Sequence, residues 1–234
     1  RSGLMASPNR PTHVGMFMFD EMTQLDLTGP YEVFQRVPGF RIHLVSKDGD
    51  PVRAEGGMQI SADSDIRSLP PLHIVFIPGG FGVNAVMEDT DMLEIIRRQS
   101  IQAQYVTSVC TGALVLGAAG LLKGYRATTH WMSWHLLEKL GAIPEKARTV
   151  IDRNRITGGG VTAGIDMALR LVAELQGREA AERIQLMIEY NPEPPFDSGS
   201  PDHADPALVS AARKNAAARM KDREEIVARL AANL

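Results

Sequence analysis

Cys110 is the only cysteine among 234 residues, and its neighbours suit a nucleophile. It stands in Ser108-Val109-Cys110-Thr111-Gly112, where YVTSVC (105–110) meets TGALVLGAAGLL. The first segment reads as a buried strand, the second as a helix of small and apolar residues. A nucleophile at such a junction stands on a sharp, strained turn, so the residues two before and two after it must be small. Ser108 and Gly112 meet that condition. A thiol at a helix N-terminus faces unsatisfied N–H groups and the positive end of the dipole, which predicts a lowered pKa and a favoured thiolate. A buried structural cysteine is the plainer reading of the cysteine alone; the elbow spacing favours the nucleophile.

Asp26 lies between Leu25 and Leu27, and a carboxylate buried without a partner is costly. It reads either as a loop residue capping a Thr28–Val37 helix, or as a general acid/base beside the thiol with a pKa raised by burial. Gly79-Gly80 can bare backbone N–H groups for developing negative charge, although a glycine pair is also what a tight turn needs. Gly158-Gly159-Gly160 resembles a phosphate cradle, yet no P-loop lysine follows; close backbone approach to the site is the preferred reading. His130, in ATTHW, is the histidine nearest Cys110 in sequence and a candidate partner for the thiol, or a structural histidine. His135 is four residues further on, but without HExxH or a supporting cluster no metal site is expected. Trp131 and Trp134 read as core or interface residues.

These residues need a frame. VGMFMF (14–19), RIHLVSKDG (41–49), HIVFIPGG (73–80) and YVTSVC read as strands, and LTGPYEVFQRV as a helix with Pro30 in its first turn. Val52–Arg53 and Met58–Ile60, joined through Gly56-Gly57, predict a small hairpin, and 149–159 a second one turning at Asn154. Asp91 is expected to cap the helix running to Ser100. From Thr162, the stripe Ile165, Ala168, Leu169, Val172 and Leu175 predicts a helix ending at Gly177. A further helix is expected over Glu179–Tyr190, then the Pro-rich loop NPEPPFDSGSPD, then one or two surface helices over 206–232. Apolar strands alternating with helices imply an α/β fold with a mostly parallel sheet covered on both faces. Sites in such sheets lie beyond the carboxyl ends of the strands. QLDLTGP, the IPGG loop and the Cys110 elbow are therefore expected to converge.

The totals agree. The length fits one large α/β domain over 11–234, with a helical extension from about residue 200. Residues 1–10 read as a disordered or non-native N-terminus, with Met5 as the native start. A formal net charge of −3 with no basic stripe argues against nucleic-acid or anionic-membrane partners. A lone cysteine excludes an internal disulfide and fits a reducing, cytoplasmic setting. The longest nearly uncharged apolar stretch, Ala113 to Leu122, is too short to span a bilayer, and the start lacks the apolar core of a signal peptide.

Taken together, SVCTGALVLGAAGLL, IPGG, ATTHW and TGGGVTAGID resemble the ThiJ/PfpI superfamily, whose fold is flavodoxin-like. Within it the chain is most similar to members that add water to isocyanides, through QLDLTGP, YVTSVCTG and the NPEPPFDSGSPD loop with its helical tail. The resemblance implies that Cys110 is the nucleophile, Asp26 the catalytic acid and Thr111 a supporting neighbour. It implies that Val161 sets a backbone carbonyl near the thiol; Gly79, Gly80 and His130 are further supporting candidates on the reading of the residues themselves. It also implies a homodimer without metal or organic cofactor. Relatives described as proteases or amidases carry histidine directly after the cysteine; Thr111 in that place weakens a peptidase reading.

The implied reaction is R–N≡C plus water to an N-formamide through a thioimidate on Cys110, in a mostly apolar pocket. Two rivals remain. One is glyoxalase- or deglycase-like chemistry on a reactive carbonyl, which needs an oxyanion hole and His130 as acid/base. The other is a ligand-sensing domain of a transcription regulator, but only 44 residues follow Tyr190, too few for a pair of helix-turn-helix modules.

Overall fold

The computed structural model describes residues 10–234; the reading of the first residues as a disordered or non-native start falls outside them, apart from Arg10. Eleven strands lie in this range: β1 (Thr12–Phe17), β2 (Phe40–Ser46), β3 (Val52–Arg53), β4 (Gln59–Ile60), β5 (Ser64–Asp65), β6 (Ile74–Ile77), β7 (Tyr105–Val109), β8 (Arg126–Ala127), β9 (Ile143–Pro144), β10 (Thr149–Asp152) and β11 (Arg155–Gly158). The helices are α1 (Gln24–Phe34), α2 (Val83–Met87), α3 (Thr90–Gln102), α4 (Gly112–Ala118), α5 (Ala163–Gln176), α6 (Arg178–Met187) and α7 (Pro206–Ala231).

Seven strands form one sheet in the order β10-β11-β7-β6-β1-β2-β5. Every pair is parallel except the edge hairpin β10–β11. The central strands are apolar throughout because helices cover both faces: Val14, Met16, Phe17, Ile74, Val75, Phe76, Ile77, Val106, Val109 and Ile156 have no exposed surface. Helices α1, α5 and α6 pack together, and α2, α3 and α4 form the other group. β3 and β4 make the expected hairpin. β10 and β11 turn through Arg153, whose φ of 55° is left-handed, beside the expected Asn154.

Three expectations need correction. Helix α1 starts at Gln24, so Asp26 sits in its first turn rather than in a loop, and Pro30 lies inside the helix. The start is tied early, because the Thr23 N–H donates to the Gly79 carbonyl at 2.9 Å. Pro30 survives because its ring packs on Gly164, where a Cβ would come within 3.0 Å of it. Gly29 likewise lets Ile165 approach, so α1 and α5 lie close. The cap of α3 is Asp89, whose carboxylate accepts from the Met92 N–H at 3.2 Å and pairs with Lys47; Asp91 is already inside the helix. The buried face of α5 is Ala163, Gly164, Met167, Ala168, Leu171 and Val172, whereas Ile165, Leu169 and Leu175 are half-buried at its border.

The last helix also differs from a surface helix. Its Ala216, Met220, Arg223 and Val227, at helical spacing, are buried against α2 and the 3-10 turns Trp131–Leu136 and Glu138–Leu140. Trp131 and Trp134 in the first of those turns are half-buried. Asp205 caps α7 through the Ala207 N–H, with Pro206 at the first helical position.

Candidate active site

The elbow at Cys110 is assembled by backbone contacts. Cys110 has φ 56°, a conformation costly for a residue with a side chain. Its neighbours hold it there. The Cys110 N–H donates to the carbonyls of Gly158 and Gly159 at 3.1 and 2.8 Å, and its own carbonyl accepts from Thr129 Oγ1 at 2.7 Å. At Gly112 a Cβ would fall 2.1 Å from the Ile77 carbonyl oxygen, so only glycine lets α4 start this close to the end of β6. The thiol is 4% exposed.

Asp26 reaches the same place from α1. It is fully buried. Its Oδ2 accepts from the Gly79 N–H at 2.9 Å, while Oδ1 has no hydrogen-bond partner among the described residues, and the carboxyl as a whole neighbours the Cys110 thiol. Burial pushes the Asp26 carboxyl up to about 7, against the Gly79 N–H and the neighbouring Cys110 thiol, which favour its charge. Thr111 is locked to the same loop: its Oγ1 accepts from the Gly80 N–H at 2.9 Å and donates to the Gly80 carbonyl at 3.2 Å.

The loops after β6 and β7 therefore converge with the start of α1, as expected. The expected free amides do not exist. The N–H groups of Gly79 and Gly80 are already spent on Asp26 and Thr111, because the loop folds back to hold the very residues it was expected to assist. These glycines support the site by positioning. At Gly79 a Cβ would meet the Thr111 nitrogen at 2.5 Å, and at Gly80, with φ 122°, the Thr23 nitrogen at 2.6 Å.

The expected thiolate is also reversed. Burial, then the negative charge of Asp26, raises the Cys110 pKa well above the usual thiol value; the Thr111 N–H and the charge of Arg223 oppose this with less effect. A short helix α4 does not outweigh burial and a carboxyl neighbour. Burial and the neighbouring carboxyl thus favour the protonated form of the thiol.

His130 stands nearby without joining the pair. Its Nδ1 accepts from the Met132 N–H at 3.1 Å, and its Cδ2 lies where a Cβ on Gly160 would come within 3.3 Å. Burial and the Arg223 charge lower its pKa to about 4, so the ring is neutral. His135 turns away to Glu224 at 3.1 Å, and no metal-holding group of His, Cys, Asp and Glu occurs among the described residues. Gly158 to Gly160 serve the elbow, since two of their carbonyls hold Cys110. Val161 follows directly, and its carbonyl accepts from the Gly164 N–H at 3.5 Å in the first turn of α5.

Sequence reasoning missed Arg223. It is 3% exposed and projects from α7 to the IPGG loop, with Nη2 donating to the Gly80 carbonyl at 3.1 Å. Nothing in the polar run KDREE marks it, and only its phase with Ala216, Met220 and Val227 hints at burial.

A cysteine on a strained elbow, a buried carboxyl against it and a parallel sheet beneath define a class. The DJ-1/PfpI family model matches residues 12–174, and the chain belongs to that family. It is 54% identical to the isonitrile hydratase of Pseudomonas putida over 221 residues, which cover 94% of this chain and 97% of that protein. A crystal structure of a ThiJ/PfpI family protein from Pseudomonas syringae superposes with a TM-score of 0.90 at 42% identity, covering 93% of this chain and 90% of that one. The HTH-type transcriptional regulator GbdR of Pseudomonas aeruginosa is 31% identical over 198 residues, 80% of this chain but 53% of the regulator.

Proposed function

We propose that the chain is an isocyanide hydratase, a cysteine-dependent hydro-lyase that turns R–N≡C and water into an N-formamide. The observation that carries this reading is the buried Asp26–Cys110 pair, in which a carboxyl pushed up to about 7 by burial neighbours a thiol whose pKa burial also raises. The terminal carbon of an isocyanide takes both the nucleophile and the proton. Asp26 accepts the thiol proton as sulfur bonds to that carbon, then delivers the proton to the same carbon, giving the thioimidate Cys110–S–CH=N–R. Water adds to this carbon, the C–S bond breaks, the thiol regains a proton and the formamide leaves. A carboxyl whose pKa matches the working pH serves as base and acid in turn.

Carbonyl chemistry fits less well. It needs free N–H donors for an oxyanion, and those of Gly79 and Gly80 are engaged. It also needs a histidine that shuttles protons near neutral pH, and burial lowers His130 to about 4, a weak base whose Nδ1 is already engaged. The near full-length similarity to the Pseudomonas putida hydratase supports the isocyanide reading, whereas the regulator is matched over about half its length.

In this reading Cys110, Asp26 and Thr111 form the working centre, Gly79, Gly80 and Val161 line and position it, and His130 is a wall. Thiol, carboxyl and water account for every bond and proton, so the enzyme is cofactor-independent. In this reading it works in the cytoplasm as a homodimer on a small apolar isocyanide, without nucleic-acid or membrane partners. Leu186, Met187 and Phe196, 70% to 80% exposed in the single chain, are surface for a second copy to cover. The test is incubation with a simple aryl or alkyl isocyanide and quantification of formamide. Absence of formamide, or methylglyoxal turnover far above isocyanide turnover, overturns the proposal.

A further inference from the structure

The guanidinium of Arg223 is buried, yet all its hydrogen-bond partners are neutral. Nε donates to Asn84 Oδ1 at 2.8 Å, Nη1 to Ser133 Oγ at 2.8 Å and Nη2 to the Gly80 carbonyl at 3.1 Å, with the Met220 sulfur at 4.0 Å from Nη1. Asn84 and Ser133 are themselves buried. Phe81 presents its ring at 5.1 Å. A charge taken out of water without a bonded counter-charge is expensive, so its retention calls for a negative charge elsewhere. The groups whose negative charge favours the guanidinium are the Cys110 thiol when ionised, Glu55 and Asp222. Cys110 lies beside the Gly79-Gly80 loop, where a Cβ on Gly79 would come within 2.9 Å of the Cys110 Cβ. The Gly80 carbonyl that accepts from Arg223 also accepts from Thr111, and the adjacent Gly79 N–H holds Asp26, so one loop links the guanidinium to Asp26 and to the residue that follows Cys110.

We propose that Arg223 is a positioning residue for the reaction. It fixes the IPGG loop that holds Asp26 and Thr111, and supplies the positive charge that lets sulfur become anionic in a buried site. This deepens the hydratase reading and rests on it for the role in turnover. The charged and titratable groups around the thiol agree with the assignment. Asp26 on α1 opposes the thiolate and Arg223 on α7 favours it. His130 before the Trp131 turn is neutral. Glu55, between β3 and β4, binds the Phe81 N–H at 2.9 Å and acts on both Asp26 and Arg223. Arg219 and Asp222 on α7 act on Arg223 with opposite signs. Burial lowers Arg223 itself only to about 10, so it remains charged at neutral pH.

The test is the pH dependence of Cys110 alkylation by iodoacetamide in Arg223→Met, Arg223→Gln and Arg223→Lys, each checked by thermal melting. Gln keeps a donor for the loop without charge; Lys keeps the charge without the fork. Both neutral variants should raise the pH of half-maximal alkylation by about one unit, the scale of one charge removed at short range in a protein interior. The isocyanide kcat/KM profile should move with it, and Lys should restore the parent's profile. Loss of packing alone would change rates without moving the midpoint. An unmoved midpoint in a folded neutral variant overturns the proposal. If neither neutral variant folds, Lys decides: a parent-like midpoint supports the charge role and a displaced one overturns it. Alkylation needs no substrate, so failure of the hydratase reading would leave this result standing, and the reverse holds too.

Discussion

Replacing Asp26 by Asn should make the protein more stable while disabling it. The Asn carbonyl can still accept from the Gly79 N–H, so the hydrogen bond at 2.9 Å is kept. What disappears is a carboxyl that burial has pushed from 3.8 to about 7. A raised carboxyl pKa means that the unfolded chain gives up this proton first. Stability is therefore full below the unfolded value and falls as pH rises through the window to the folded value. Over a shift of about three units the loss is about 4 kcal/mol at pH 8, of which about 2.5 kcal/mol develops between pH 5 and pH 8. The Asn variant carries no such loss. Urea unfolding of both proteins at the two pH values measures it: the advantage of Asp26→Asn should grow by roughly 2 kcal/mol from pH 5 to pH 8. Comparing the two proteins removes the contributions of other groups, such as His13, His43 and His73, whose lowered pKa values give the opposite slope. Isocyanide turnover of the variant should fall at least about 100-fold, the usual scale for losing a general acid. A constant stability difference across this range, or normal turnover, would refute the assignment of Asp26 as a buried, proton-carrying carboxyl.

Cys110→Ala should abolish formamide production with the circular dichroism spectrum unchanged, and Cys110→Ser should be nearly as inactive because a hydroxyl is a far weaker nucleophile near neutral pH. Gly112→Ala drives a Cβ to within 2.1 Å of the Ile77 carbonyl and should cost more than about 3 kcal/mol in urea unfolding, whereas Gly120→Ala, with φ 77° and open space around it, should cost only about 1 kcal/mol. His130→Asn should reduce isocyanide turnover far less than Asp26→Asn does, since Nδ1 serves only the Met132 N–H; equal losses in steady-state assays would put histidine back in the chemistry.

The sheet and the elbow were legible because their signals are local. An apolar run followed at once by Ser108-Val-Cys-Thr-Gly112 leaves little choice of backbone, and parallel strands buried on both faces read as unbroken hydrophobic segments. The errors arose where a distant contact decides. Pro30 looks like a first-turn residue until Gly164 is seen to make room for its ring. Asp89 and Asp91 are equivalent caps in sequence, and the register of Met92, Leu93 and Ile96 against the core chooses between them. The direction of the Cys110 shift turned on Asp26, 84 positions earlier, and on burial that no local pattern reports. Arg223 lay in a polar helix whose inner face only the tertiary structure reveals.

Arg223 grips the Gly80 carbonyl from 143 positions downstream, which imposes an order on biogenesis. Chains emerge from the ribosome amino end first and tend to fold in that order. Strands β1, β6, β7 and the elbow can pair while α7 is still unmade, so a nascent chain carries the cysteine before the guanidinium that reaches this loop. Maturation of the centre then waits until α7 has been made. A product of interrupted translation, or one clipped in the 188–205 loop, would retain the sheet yet lack the finished centre, and thiol reactivity would report how far along the assembly line each molecule had come.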